Sequence, residues 1–166
     1  MGHVRDLPAA PVTIRRAGPA DREAARALHA RCSRESLGER YHGPVRDADR
    51  YLDHLLDPRF GQTLAAEAGG RLVALGHLLP DEDGAELAVL VEDAWQGRGL
   101  GRELVRRLAE LARGAGFDEV YALTRPSNAA MTAVLRGLGV PLEYRVESGT
   151  LTVSVCLAGA PAALSA

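Results

Sequence analysis

The 166 residues predict one mixed α/β domain with elements in the order β-α-α-β-β-β-α-β-α-β-β. Three observations carry that prediction. Apolar runs of strand length alternate with stretches in which apolar residues recur at three- and four-residue spacing. Two dipeptides that favour tight reversals, Gly69-Gly70 and Ser148-Gly149, each join a pair of strand-like runs. Between Ala85 and Leu111 an apolar strand passes through a glycine-rich turn straight into an amphipathic helix.

In chain order, residues 1–10 carry no periodic signal and are expected to form a flexible tail. Residues 12–15 alternate as a short strand. Gly18-Pro19-Ala20-Asp21 then opens a helix, since proline suits a first turn. That helix runs to about Cys32, with Ala24, Leu28 and Arg31 along one side. Residues 32–44 hold few large apolar side chains and read as a connection ending in a turn. A second helix is expected over 47–56, with Tyr51, Leu52, Leu55 and Leu56 as its apolar face. Residues 62–68 and 71–79 form a hairpin, and 80–84 turn into the central strand at 85–91. Beyond the glycines, Leu100, Leu104, Leu108 and Leu111 make one helical stripe that stops near Gly114 and Gly116. A buried strand follows at 119–123, then a last helix over 128–138, closed by Gly139 with Pro141 beyond it. Residues 142–147 and 150–157 form a final hairpin, and the Ala/Pro-rich stretch 158–166 is expected to fray. The domain is thereby placed at 11–157.

A chain of this length can bury a real core. Its apolar share of 46% and charged share of 25% are those of an ordinary globular protein. A net charge of −2 gives no reason to expect nucleic acid or anionic membranes as partners. Cys32 and Cys156 are isolated, and the histidines at 3, 29, 42, 54 and 77 share no ligand spacing, so no metal is expected. The N-terminus lacks the apolar segment of a secretion signal, and no apolar run reaches bilayer-spanning length. A cytoplasmic location is therefore expected.

Chemistry concentrates in the turn after the central strand. A strand that delivers glycines 97, 99 and 101 to a helix N-terminus is built to hold an anion. Free backbone N–H groups point outward there, and the helix dipole favours negative charge. Glycine admits a phosphate to the backbone and accepts positive φ. A Walker loop is excluded because the chain contains no lysine, and a dinucleotide fingerprint fails because Arg102 stands where its third glycine belongs.

The spacing that fits is Q-x-x-G-x-G, in Gln96-Gly97-Arg98-Gly99-Leu100-Gly101. With an apolar strand before it and an amphipathic helix after, the segment resembles motif A of the GNAT superfamily of acetyl-CoA-dependent N-acyltransferases. The predicted order of elements matches that fold from about Val12 to Leu157. The resemblance implies a central mixed, mostly antiparallel sheet flanked by helices, with acetyl-CoA as acyl donor between two splayed parallel strands. It also implies coenzyme A pyrophosphate on Gln96, Gly97, Arg98, Gly99, Leu100, Gly101 and Arg102. The thioester would meet the strand backbone at Val89, Leu90 and Val91, with Asn128 beside the pantetheine arm. Members of the family commonly pair as homodimers.

Attack on a thioester requires a neutral amine, and a lysine of pKa near ~10.4 is neutral in only about one side chain in a few thousand at pH 7. A positioned base removes that obstacle. Glu86 sits on the strand leading to the loop, on one face with Ala88 and Leu90. It is either the general base or a strand-start glutamate facing solvent; a carboxylate in an apolar strand needs a partner or a purpose. Glu92 and Asp93, past the strand, either hold the loop or stay solvated. Arg98 and Arg102 flank the loop as phosphate partners or as plain surface arginines, and Asn128 also suits a helix cap. Many family members place a tyrosine seven residues after that asparagine as acid for the departing thiolate. Here that position is Leu135, with Tyr41, Tyr121 and Tyr144 as substitutes elsewhere.

A narrower resemblance lies in the wording of three blocks: A-E-L-A-V-L-V-E-D-A-W-Q-G-R-G-L-G, the downstream R-P-S-N-A-A-M and the upstream S-R-E-S-L-G-E-R-Y-H-G-P. Together they resemble Pat-type protein lysine acetyltransferases, a branch that also tends to lack the tyrosine. This implies Glu86 as base and a protein lysine as acceptor. The segment 33–44 is then expected to wall the acceptor cleft, offering Ser33, Glu35, Arg40 and Tyr41 as substrate contacts; an ordinary solvated connection is the alternative. Two other functions compete. One is acetylation of a small amine, a polyamine or aminoglycoside, and the other is a non-catalytic coenzyme A-binding module.

Overall fold

The computed structural model describes residues 10–42, 48–82 and 84–158, and its frame is one seven-stranded sheet. The strands are β1 (Val12–Ala17), β2 (Gln62–Ala68), β3 (Arg71–Pro80), β4 (Ala85–Val91), β5 (Glu119–Thr124), β6 (Leu142–Glu147) and β7 (Thr150–Cys156). Their spatial order is β1-β2-β3-β4-β5-β7-β6. Every neighbouring pair is antiparallel except β4 with β5. The sheet is thus mixed and mostly antiparallel, as expected. Among the described residues the helices are α1 (Arg22–Arg31), α2 (Arg34–Tyr41), α3 (Ala48–Leu56), α4 (Leu100–Gly114) and α5 (Ala129–Arg136). None is long and apolar enough to cross a membrane. Residues 1–9 and 159–166 of the expected tails, the turn expected at Gly43-Pro44 and the first residue of the expected second helix, Asp47, fall outside the described residues.

Two apolar layers clamp the sheet. On one face α4 lays Leu104, Val105, Leu108, Ala109 and Ala112 on the strands, joined by Leu135 of α5. On the other, Ala25 and Leu28 of α1 and Leu52 and Leu56 of α3 meet Ala65, Leu72 and Leu75. Each fully buried leucine contributes roughly 1.5–3 kcal/mol, so these stripes dominate the stability of the fold. Gly76 on β3 lets α4 come this close. A Cβ there would stand 2.9 Å from Leu108 Cδ1 and 3.5 Å from Leu104 Cβ.

The departures from expectation have physical causes. The buried face of α1 is Ala25, Leu28 and His29, one position round from the expected Ala24 and Arg31; Ala24 is only partly buried, and Arg31 reaches out to Leu72 C=O and Glu92. Tyr51, expected on the apolar face of α3, is 54% exposed and rests its ring on Tyr41, centroids 5.5 Å apart. The stripe of α4 turns inward through Val105, Ala109 and Ala112, leaving Leu111 partly buried. The last helix is shorter than expected, ending at Arg136. Most consequential is α2, a helix where a connection was expected. It buries no residue, so it lacks the apolar stripe by which helices are read.

Gly76→Val should lower the unfolding free energy by about 1–3 kcal/mol through overpacking against α4, read as a fall in the urea midpoint. A midpoint unchanged from the parent would mean that the β3–α4 contact relaxes freely.

Candidate active site

The parallel pair β4–β5 is matched at only two positions, Ala85 with Val120 and Glu86 with Tyr121. Beyond them the strands part. The gap opens into a cleft of about 620 Å³ walled by β4, the turn after it, the first turn of α4, the end of β5 and the start of α5. Glu35, Ser36, Glu39 and Arg40 of α2 close its remaining side. A cleft of this size suits a cofactor-sized ligand.

The turn from β4 to α4 passes Asp93–Trp95 as a 3₁₀ turn and then takes positive φ at Gly97 (73°) and Gly99 (84°). No heavy atom lies within 4 Å of where a Cβ would stand at either glycine, so the space beside the backbone is open. The ladder of α4 begins with Glu103 N–H on Gly99 C=O at 3.1 Å. The N–H groups of Leu100, Gly101 and Arg102 therefore belong to the uncommitted helix N-terminus, at the positive end of the dipole. Such a cradle fits a pyrophosphate.

The side chains around it are divided in use. Gln96 Nε2 donates to Val91 C=O at 3.1 Å and Ser36 Oγ at 3.0 Å, so it closes the turn. Arg98 stands outside the cleft wall, stacked 4.7 Å from the Trp95 ring centroid. Arg102 lines the cleft and lies against Gly137, where a Cβ would meet its Nε at 2.8 Å. Val89, Leu90 and Val91 line the cleft as well. Asn128 does too, and it caps α5 by accepting from Met131 N–H at 3.0 Å.

On the other side of the parting, Glu86 lines the cleft and is partly buried. Burial raises its pKa above the ordinary carboxylate range; Arg40 and His42 draw it back down, and Asp81 pushes it up. Arg40 also lines the cleft, its guanidinium 4.6 Å from the Tyr41 ring centroid. Burial depresses its pKa, while Tyr41 and Glu86 act the other way. Arg40 Nε, Glu39 Oε2 and Thr124 Oγ1 are buried without a hydrogen-bond partner, and all three residues line this cleft. Buried polar atoms are ordinarily satisfied, so three orphans around one space mark where a polar ligand completes it.

Of the expected acceptor contacts, Glu35 and Arg40 stand on the cleft wall and Ser33 and Tyr41 do not. Ser33 caps α2 through its Oγ, which accepts from Ser36 N–H at 3.1 Å. The Tyr41 hydroxyl donates to His29 Nε2 at 2.6 Å, because His29 Nδ1–H is committed to Ala25 C=O at 2.7 Å. His77 is 1% exposed; its Nδ1–H donates to Thr63 Oγ1 at 2.9 Å, whose own proton goes to Leu55 C=O. Burial depresses the pKa of both histidines.

The place of the family's acid is filled by Leu135, 0% exposed in the core. The substitute tyrosines are committed elsewhere: Tyr41 to His29, Tyr121 to Asp81, and Tyr144, whose Oη accepts from Arg136 Nε at 3.2 Å. None of the three lines the cleft. Sequence reasoning gave no hint that Glu92 would be 5% exposed, between Arg31 at 3.1 Å and Arg71 at 3.2 Å. Those arginines come from α1 and β3, and no local pattern connects them.

The match to the acetyltransferase (GNAT) family model spans residues 22–140, covering the cleft-bearing elements from α1 to α5. This chain belongs to the GNAT family. It is 32% identical over 137 residues to acetyltransferase PA5475 of Pseudomonas aeruginosa, across 77% of this chain and 74% of that one. It is 38% identical over 87 residues to N-alpha-acetyltransferase RimI of Mycobacterium tuberculosis, which spans about half of each (52% and 51%). Among solved structures, the GNAT domain of S. lividans PAT superposes with a TM-score of 0.80 at 27% identity, covering 88% of this chain and 90% of that one. yncA of Salmonella typhimurium, solved with acetyl-CoA, gives 0.70 at 25% identity, covering 91% and 96%. As a GNAT enzyme the chain is an N-acetyltransferase whose acyl donor is acetyl-CoA.

The buried carboxylate of Glu86 has a consequence for this GNAT domain even without substrate. A carboxyl whose folded pKa lies above its unfolded value ionises first in the unfolded chain. Its cost is absent at pH below both values and fully present once pH has passed the folded pKa. Glu86→Gln should therefore raise Tm at pH 7 and leave it unchanged near pH 4, by calorimetry. A Tm that falls at pH 7 would show that the ionised carboxylate is held by favourable contacts.

Proposed function

We propose that this enzyme acetylates lysine side chains on proteins, with Glu86 as general base. The observation that carries the proposal is the position of Glu86, on the last paired residue of β4 where the strands part, in surroundings that raise its pKa. A base poised above the carboxylate range accepts a proton more readily at neutral pH than a free glutamate does. The S. lividans PAT domain supports a protein acceptor by its likeness. So does α2, which presents Glu35, Glu39 and Arg40 rather than large apolar residues to the cleft.

In this reading coenzyme A lies in the parting, its pyrophosphate on the backbone of residues 97–102 and its thioester carbonyl beside the N–H groups around Leu90 and Val91. Acetyl-CoA supplies the acyl group. The acceptor nitrogen forms the new C–N bond, the C–S bond breaks, and Glu86 takes the proton that the amine gives up. Leu135 offers no proton to the departing sulfur. A thiol of pKa near ~8.5 leaves tolerably as the thiolate and is protonated by solvent. Asn128 orients the pantetheine arm while it caps α5.

The mycobacterial relative acts, by its name, on α-amines. The two acceptors make different demands on Glu86. Roughly one α-amine in ten is neutral at pH 7, against about one lysine in a few thousand, so only the lysine reaction depends heavily on a base.

The decisive experiment is competition for acetyl transfer among a folded lysine-bearing protein, a lysine-free peptide with a free N-terminus, and a polyamine. The expected order of kcat/KM puts the protein first, with Glu86→Gln lowering kcat on it by roughly 10²–10⁴-fold at pH 7. A higher kcat/KM for the polyamine, or near-normal turnover of the variant on lysine, would overturn the acceptor or the base respectively.

The loop has its own test. Gly101 is helical, and a Cβ there would only touch Val91 and Val134 at 3.9 Å, so Gly101→Val leaves the fold in place. It should weaken acetyl-CoA at least tenfold by calorimetry, and unchanged affinity would move the pyrophosphate elsewhere.

A further inference from the structure

Helix α2 presents a physical problem. It is eight residues long, buries none of them, and yet forms one wall of the cleft. An isolated helix of that length does not hold itself in water, and this one has no apolar face to dock. Its last residue, Tyr41, rests its ring on His29 and Tyr51 and bonds His29 Nε2. The other contacts that fix the helix are polar and lie near its two ends. At the N-terminus, Asp93 Oδ1 accepts from Ser33 N–H at 2.8 Å, and Asp93 Oδ2 accepts from Ser33 Oγ–H at 2.8 Å and Ser36 Oγ–H at 3.1 Å. Gln96 Nε2 adds a bond to Ser36 Oγ at 3.0 Å. At the C-terminus, His42 Nε2 reaches Leu123 C=O at 3.2 Å, and Glu39 faces Arg125 at 3.9 Å. The helix therefore straps the parting, with one end on the turn that leads into the glycine loop and the other on β5.

We propose that Asp93 is a positioning residue for the acceptor. Through Ser33 and Ser36 it fixes α2, and with it Glu35, Glu39 and Arg40, at a set distance from the cofactor loop. Asp93 stands on the cleft wall as well, but the structure commits its carboxylate oxygens to Ser33 and Ser36. Several features agree. The carboxylate sits at the N-terminus of α2, where the dipole favours negative charge, and its three accepted bonds are charge-assisted. Those bonds, that of Ser33 N–H foremost, hold its pKa below the ordinary carboxylate range, so the clasp is ionised and closed at neutral pH. Asp93 and Gln96 stand three residues apart in the same turn and both reach Ser36 or its cap, so the elements that meet cofactor and acceptor share one anchor.

The inference rests on the acceptor cleft proposed above, so its test has an arm that needs no acceptor. Asp93→Ala is compared with the parent and with the double variant Ser33→Ala/Ser36→Ala, using the whole chain. Hydrogen exchange of the α2 amides 37–41 should quicken at least tenfold in both variants, with exchange in α4 and β4 unchanged. With poly-L-lysine as acceptor, KM for the acceptor should rise about five- to twentyfold, more than the fall in kcat at saturation or in acetyl-CoA affinity. Asp93→Ala and the double serine variant share the two hydroxyl bonds to Asp93. The Ser33 N–H bond is lost only in the first, and the Ser33 cap and the Gln96 bond only in the second, so their combination should fall short of additive. Asp93→Asn, which keeps one accepting oxygen, should recover part of the KM. Unchanged α2 exchange in Asp93→Ala would overturn the clasp, whatever the activity. Quickened exchange with an unchanged acceptor KM would overturn the positioning role, leaving a purely structural contact. A parent enzyme inactive on every amine would instead remove the proposed function, and the exchange result would still decide the clasp.

Discussion

Two residues of parallel pairing join the halves of this sheet, and the rest of the molecule is arranged around their brevity. A fully zipped β4–β5 ladder would satisfy the strand backbone and leave nowhere for a thioester to lie. Stopping after Glu86 and Tyr121 keeps the outer half of β4 as a row of backbone groups facing a space. The break can be sustained because each strand is held from its other side. β4 is matched to β3 over seven residues, and β5 to β7 over six. Beneath the gap, α4 and α5 bring Leu104, Val105 and Leu135 into one apolar layer, so the sheet parts without exposing its core.

That arrangement explains which parts were legible beforehand. Strands and helices that dock by an apolar stripe announce themselves, and β4, the hairpin turns and α4 fall where periodicity and glycine place them. The glycine loop was legible for a different reason: positive φ at Gly97 and Gly99 is a local demand that the residues themselves record. What stayed hidden depends on partners far away in the chain. Nothing in R-E-S-L-G-E-R-Y reveals a helix, because its anchors are His29, Tyr51, Asp93, Gln96, Leu123 and Arg125. Glu92 reads as a solvated turn residue until Arg31 and Arg71 arrive on it. Ser33 and Tyr41, plausible substrate contacts by composition, are absorbed by Asp93 and His29.

The two faces of the sheet also differ in electrical character. The α4 face is packed with apolar side chains and presents the loop's backbone dipoles, with Arg102 and Asn128, to the cleft. The α1–α3 face carries His29 and His77, both buried, with depressed pKa values and donating to oxygen. Neutral there, they add polarity without adding positive charge beside Glu86. Arg40 is then the principal cation acting on that carboxylate, followed by His42. The loop's dipoles and Arg102 on one side and Glu35, Glu39 and Glu86 with Arg40 on the other separate the side suited to a phosphorylated donor from the side that must admit an amine.

The ion pairs of this protein, such as Arg15–Asp21, Arg31–Glu92 and Arg106–Glu103, are built on guanidinium in a chain with no lysine at all. Guanidinium stays protonated to pH above ~12 and does not attack thioesters, whereas every lysine is a slow nucleophile toward an acyl donor. A catalyst that carries an activated acetyl group is thus made of cations that its own reagent leaves intact. No side-chain ammonium exists on which it can label itself, and its charge network stays the same however much acetyl-CoA surrounds it.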